Sequence, residues 1–296
     1  MKILICSDGS TQAERAIRLG ATIAAGCHAE VTLLGIVESA GEAAALLDSL
    51  KRGQTLLADK KINAELITKS GDPIEEIIKR TNEATYDLVI IGAVRKGTRG
   101  PFWMSSKSYK IIKAIRPPVL SVAGEVTTIR RILICSGGKR YIDNAVRLAC
   151  EIARGLGASV VLLHVMPEPP ALYSQLPRIE ESPVRLLASS SELGINLRRA
   201  KETLESLGVP VEVRLPQAPV LEGILREIHE GGYDLVVTGS ALTRSLRTYV
   251  LGDISREIVN RTNCAVLVVR SQQKVFDSRL KFKSLLGRLG RGTHGS

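Results

Sequence analysis

The segment Lys2-Ile3-Leu4-Ile5-Cys6-Ser7 is answered 129 residues further on by Arg131-Ile132-Leu133-Ile134-Cys135-Ser136. A second block, Tyr86-Asp87-Leu88-Val89-Ile90-Ile91-Gly92, returns as Tyr233-Asp234-Leu235-Val236-Val237-Thr238-Gly239 at a spacing of 147. A third, Pro118-Val119-Leu120-Ser121-Val122, matches Ala265-Val266-Leu267-Val268-Val269 and closes each unit. Three blocks in the same order make the chain a tandem repeat, with 18 extra residues in the middle of the second copy.

Within each copy, short β-branched runs alternate with helical spacing, the pattern of a βαβ chain that builds a parallel sheet. The first copy reads as strands near 2–7, 31–37, 64–69, 87–92 and 119–122, and the second near 131–136, 159–165, 211–215, 234–239 and 265–269. Ser10 or Thr11 caps the helix after the first strand. Asp72-Pro73 places an N-cap before a proline that opens a helix over 73–83, with Ile74, Ile77 and Ile78 on one face. The segment 166–185, with five prolines, reads as a loop holding most of the second copy's extra length. Right-handed crossovers then give the fold class: α/β, two tandem doubly wound parallel five-stranded sheets. The domains are 1–124 and 129–270, with a linker near 124–128 and a tail over 271–296. In such sheets ligands bind beyond the carboxyl ends of the strands, here in the loops after strands one and four.

Composition agrees. Of 296 residues 44% are hydrophobic and 24% charged, a globular balance, and only 3% are aromatic, so the core is built from Ile, Leu, Val and Ala. The opening residues read as a strand rather than a signal peptide, and no run nears the roughly 20 apolar residues that span a bilayer. The expectation is a cytoplasmic protein. Cys6, Cys27, Cys135, Cys150 and Cys264 form no CxxC and no Cys/His cluster, which predicts reduced thiols and no zinc site. The net charge is +11, but residues 271–296 hold six basic residues and one acid, so the folded body is only moderately basic and specific nucleic-acid binding is not expected.

The loops after strands one and four carry a resemblance. Each copy resembles the universal stress protein family: an Asp-Gly-Ser turn after strand one in copy one, a Tyr-Asp-led fourth strand ending in glycine, a glycine-bearing loop, a helix and a closing strand. The resemblance implies an adenine nucleotide alpha hydrolase-like fold, and in nucleotide-binding members a fourth loop of the pattern Gly, two residues, Gly, nine residues, Gly, Ser or Thr. Glycines let backbone N–H groups approach phosphate, and the following helix N-terminus adds partial positive charge. On copy one the pattern falls on Gly92, Arg95, Ser105 and Ser106, so the second and third glycines are replaced. Asp8 stands where the family presents an acceptor to an adenine or ribose edge. On copy two it falls on Gly239, Leu242, Gly252 and Asp253, and Gly137 answers Asp8. A carboxylate at the mouth of a phosphate site repels the ligand, though Asp253 also suits a helix N-cap.

The implied ligand is therefore ATP or AMP, with Mg²⁺, in copy one, and a degenerate site in copy two. Each residue also has a plainer reading. Asp8 is equally a turn residue bonding its own backbone, Gly92 and Gly239 simply strand ends, and Arg95, Lys96 and Arg99 either phosphate partners or a solvated loop. His164 reads as a packing histidine rather than a ligand, and Phe102 and Trp103 as residues that either stack on a ligand or pack against the other copy. Gly92 to Thr98 lacks the lysine of a Walker loop, Gly137-Gly138 is a weak anion nest, and no catalytic constellation stands out.

The resemblance also implies association of the two copies through their closing strands, an intramolecular pseudo-dimer, with a homodimer as a further step. Within 272–296, Val275, Phe282, Leu285, Leu286 and Leu289 cluster on one side of a helical wheel beside Lys274, Lys281 and Arg288. Such a segment suits an anionic membrane or a partner groove, with peripheral membrane attachment as the consequence, or is a disordered tail. Three functions remain open: a stress-response regulatory module with nucleotide in copy one, a slow ATPase or adenylyl-transferring enzyme, and a scaffold that binds through the tail.

Overall fold

The computed structural model describes residues 1–39, 41, 43–93, 95–96, 103–104, 106–138, 143–167, 182–240 and 253–270. Copy one runs β1 (Lys2–Ser7), α1 (Thr11–Gly26), β2 (Glu30–Val37), α2 (Ala43–Asp59), β3 (Ala64–Ser70), α3 (Pro73–Glu83) and β4 (Leu88–Gly92). A small hairpin of β5 (Arg95–Lys96) and β6 (Trp103–Met104) follows, then α4 (Ser106–Ala114) and β7 (Val119–Val122). Copy two runs β8 (Arg131–Cys135), α5 (Asp143–Leu156), β9 (Ser159–Leu163), α6 (Pro183–Ala188), α7 (Glu192–Ser206), β10 (Val211–Arg214), α8 (Val220–Gly231), β11 (Leu235–Ser240), α9 (Asp253–Arg261) and β12 (Ala265–Arg270).

The strands read from sequence are present, and the local signals explain their helices. Ser10 caps α1 by accepting Ala13 N–H, and Asp72 caps α3 by accepting Ile74 and Glu75 N–H ahead of Pro73. Side chains alternate across the sheet because successive Cβ atoms point to opposite faces. Ile3 and Ile5 join one apolar cluster with residues of α1, α2, α5 and α7, while Leu4 and Cys6 join a second with residues of α3, α4, α8 and α9. Helices thus cover both faces, as a buried parallel sheet requires.

Copy one is ordered β7-β4-β1-β2-β3 and copy two β10-β9-β8-β11-β12, parallel throughout. The two five-stranded sheets are fused into a single ten-stranded one. β12 pairs antiparallel with β7 in the register Val266↔Ser121, Leu267↔Leu120 and Val268↔Val119. Both apolar clusters contain residues of both copies. On one face α1 and α5 also meet, at Gly26 and Gly155, which answer each other in the repeat. A Cβ on Gly26 would lie 2.5 Å from the Gly155 carbonyl oxygen, and one on Gly155 2.6 Å from that of Gly26. The pseudo-dimer expected from the closing strands is therefore built within the chain, at the sheet and at a backbone-to-backbone helix crossing.

Two elements were not legible. The segment 166–185, read as loop, ends in helix α6, which Ser182 caps ahead of Pro183; the prolines that signal a loop conceal one in first-turn position. The β5–β6 hairpin has two residues in each arm, too few to show a period.

Candidate functional site

The strand order reverses between β1 and β4, so the crevice of copy one opens beyond their carboxyl ends. A cleft of about 80 Å³ lies there. Its apolar walls include Ile36, Ile77, Ile91 and Ile111, and its polar rim Ser7, Asp8, Ser10, Glu38 and Ser108. Glu38 from the end of β2 and Ser108 from α4 were not singled out by motif; only the topology brings them to the loop after β1.

The turn after β1 is built by its own side chains. Ser7 Oγ accepts Gly9 N–H at 3.2 Å, and Asp8 Oδ1 accepts Ser10 N–H at 3.0 Å. Gly9 takes φ +80°, a left-handed conformation that side chains resist. Asp8 is thus the turn residue of the plainer reading. That bond also orients its carboxylate at the rim, and leaves Oδ2 without a protein partner among the described residues.

Gly92 has a role of its own. A Cβ there would lie 2.6 Å from the carbonyl carbon of Gln12 in the first turn of α1, so glycine is required for that turn to close on the end of β4. Arg95 lies on β5 and Ser106 opens α4, but their side chains, and Ser105 entirely, lie outside the described residues.

The answering turn in copy two is bonded differently. Gly138 answers Gly9 with φ +74°, and Ser136 Oγ accepts its N–H at 3.1 Å. Here, however, His164 fills the position of Gly35. Its Nδ1 lies 2.8 Å from Ser136 O, and because a carbonyl only accepts, Nδ1 carries the hydrogen. Asn196 of α7, itself buried, donates to Gly138 O at 3.1 Å. Two side chains therefore hold the carbonyls of this turn, whereas the answering turn of copy one packs at Gly9 against the backbone of Leu46 in α2. Ser255, which answers Ser108, donates to Gly239 O at 2.8 Å and lies 2.9 Å from the Thr238 hydroxyl. Gly239 is exposed, and a Cβ there would meet nothing within 4 Å among the described residues, unlike Gly92. Gly252 and the Asp253 side chain lie outside the described residues, as does the tail 271–296.

The Tyr-Asp pairs sit at the opposite end of the strands and are structural. Asp87 Oδ2 accepts Lys2 N–H at 2.7 Å, and Asp234 Oδ2 accepts those of Arg130 and Arg131 at 2.8 and 3.0 Å. Tyr86 receives a bond from Arg80 at 2.7 Å, whereas Tyr233 donates to Glu227 at 2.5 Å, a reversal of charge at answering positions. Burial raises the Tyr233 hydroxyl above its ordinary range, and the Glu227 bond adds to the shift. Burial likewise pushes the thiols of Cys6 and Cys135 up to about 12, so neither is a ready nucleophile. Among the described residues no three His, Cys, Asp or Glu side chains form a group able to hold a metal ion, and no helix is long and apolar enough to cross a membrane.

Fold and crevice together define a tandem, doubly wound α/β protein with two unequal copies. The universal stress protein family model matches residues 1–123 and again 128–270. The chain belongs to the universal stress protein family. It is 28% identical over 146 residues to universal stress protein YxiE of Bacillus subtilis strain 168, across 47% of this chain and 98% of that protein. Among solved structures, a universal stress protein from Archaeoglobus fulgidus DSM 4304 superposes with TM-score 0.71 at 18% identity, covering 91% of this chain and 98% of that one. A protein of unknown function from Pseudomonas aeruginosa PAO1 superposes with TM-score 0.64 at 16% identity, covering 97% of each. At those identities the likeness is one of fold.

Proposed function

We propose that the protein is a stress-response regulatory module whose first copy binds ATP or AMP and whose second copy does not. The observation that carries this reading is the contrast between the two turns after the first strands: Asp8 at the rim of a cleft in copy one, and Gly137 in a turn held by His164 and Asn196 in copy two. The aliphatic walls suit a flat base, and Asp8, an acceptor only, suits an amine or ribose hydroxyl. The cleft is far smaller than the roughly 300 Å³ that encloses a whole ligand, so it takes the nucleoside end. The phosphates, with any Mg²⁺, then extend toward the loop between β4 and α4.

Mass spectrometry of natively purified protein tests this directly: about one adenine nucleotide per chain is expected, and none at stoichiometric level overturns the reading. Asp8→Ala should weaken binding by about tenfold or more, the cost of a charge-assisted hydrogen bond.

A further inference from the structure

Two contacts run from copy two into the loop and helix that border the crevice of copy one. Helix α9 lies against β6, the second arm of the hairpin between β4 and α4. Its own start is fixed, because Ser255 bonds the end of β11. Arg270, the last residue of β12, is buried and donates through Nη2 to Ile115 O at 3.0 Å. Ile115 follows the last turn of α4, and its N–H still bonds Ile111 O at 3.2 Å. Arg270 thus places a cation on the carbonyl end of the helix whose other turns bring Ser108 and Ile111 to the cleft. A cation there both satisfies a terminal carbonyl and complements the helix dipole. The arrangement is one-sided: the residue answering Arg270 in copy one is Ala123, which has no side-chain donor to offer α9. It runs in the same direction as the asymmetry of Asp8 and Gly137.

We infer that copy two positions the nucleotide site of copy one, with Arg270 as a positioning residue that fixes the end of α4 while α9 backs the β5–β6 hairpin. The inference rests on nucleotide binding by copy one. ATP affinity then depends on residues of the second copy that touch no ligand.

The test is calorimetric titration of the full chain with ATP for the unmodified protein, Arg270→Ala and Arg270→Lys. It is paired with hydrogen exchange of the unmodified protein with and without ATP. Arg270→Ala should weaken binding about 3- to 10-fold, the usual range for coupling through contacts remote from a ligand, and Arg270→Lys should recover part of it. ATP should slow exchange in α9 as well as around the cleft. Unchanged affinity in Arg270→Ala, with exchange effects confined to copy one, overturns the inference and leaves the nucleotide reading intact. No ATP binding by the unmodified chain overturns both. If Arg270→Ala does not fold, the exchange result decides alone: protection of α9 supports the inference, and its absence refutes it.

Discussion

Gly92 and Gly239 occupy answering positions yet differ physically. An alanine at 92 must displace the backbone of α1, whereas one at 239 meets nothing within 4 Å among the described residues. Gly92→Ala should therefore cost about 1–3 kcal/mol, in the range of overpacking, and Gly239→Ala should stay within about 0.5 kcal/mol. Urea unfolding of the two variants checks this; equal midpoints would contradict it. The comparison also shows what sequence conveys about a site. The repeat and the strand ends placed Asp8, Gly92 and Gly239 at the correct edge of the sheet. It did not tell a glycine kept for a ligand from one kept for a neighbouring helix, because that depends on where α1 starts relative to β4. His164 read correctly as a structural residue, but its partner Ser136 lies across the parallel pair β8–β9, and Asn196 comes from a helix displaced by the insertion. Neither relation leaves a periodic trace.

Among elements, the strands were legible because each buried run alternates between two apolar clusters, and α3 because capping and proline agree on its first residue. The short hairpin and α6 were not, the one because its arms have two residues each and the other because its first-turn proline reads as one more loop proline. The α1–α5 crossing belongs to the same class: two glycines 129 residues apart are unremarked in sequence, yet their backbones touch in the fold. Gly155→Ala places a methyl group 2.6 Å from a carbonyl oxygen that has no rotamer to adopt. A loss of about 1–3 kcal/mol is expected, together with faster hydrogen exchange in the C-terminal turns of both helices. Exchange that speeds up in α5 alone would mean the crossing is looser than drawn.

For the molecule as a whole, the thiols of both copies link stability to pH in one direction. Cys6 and Cys135 are pushed by burial from 9.0 up to about 12. The unfolded chain ionises first, so their contribution is fully present below about pH 9 and is lost as pH rises toward 12. The decline is at most about 1.4 kcal/mol per pH unit for each thiol. The urea midpoint should be lower at pH 10 than at pH 8, with a smaller drop in a Cys6→Ala, Cys135→Ala double variant; an equal drop would assign the effect elsewhere. The seam between β7 and β12 has a further consequence. Two separate chains that pair through one patch must each keep that patch complementary to itself, and their pairing weakens on dilution. Joined in one chain, the halves keep the same partner at any concentration and cannot exchange it for a relative's. Each side of the contact is then free to specialise, and an arginine on one side facing duties that an alanine on the other never takes up is the form that freedom has taken here.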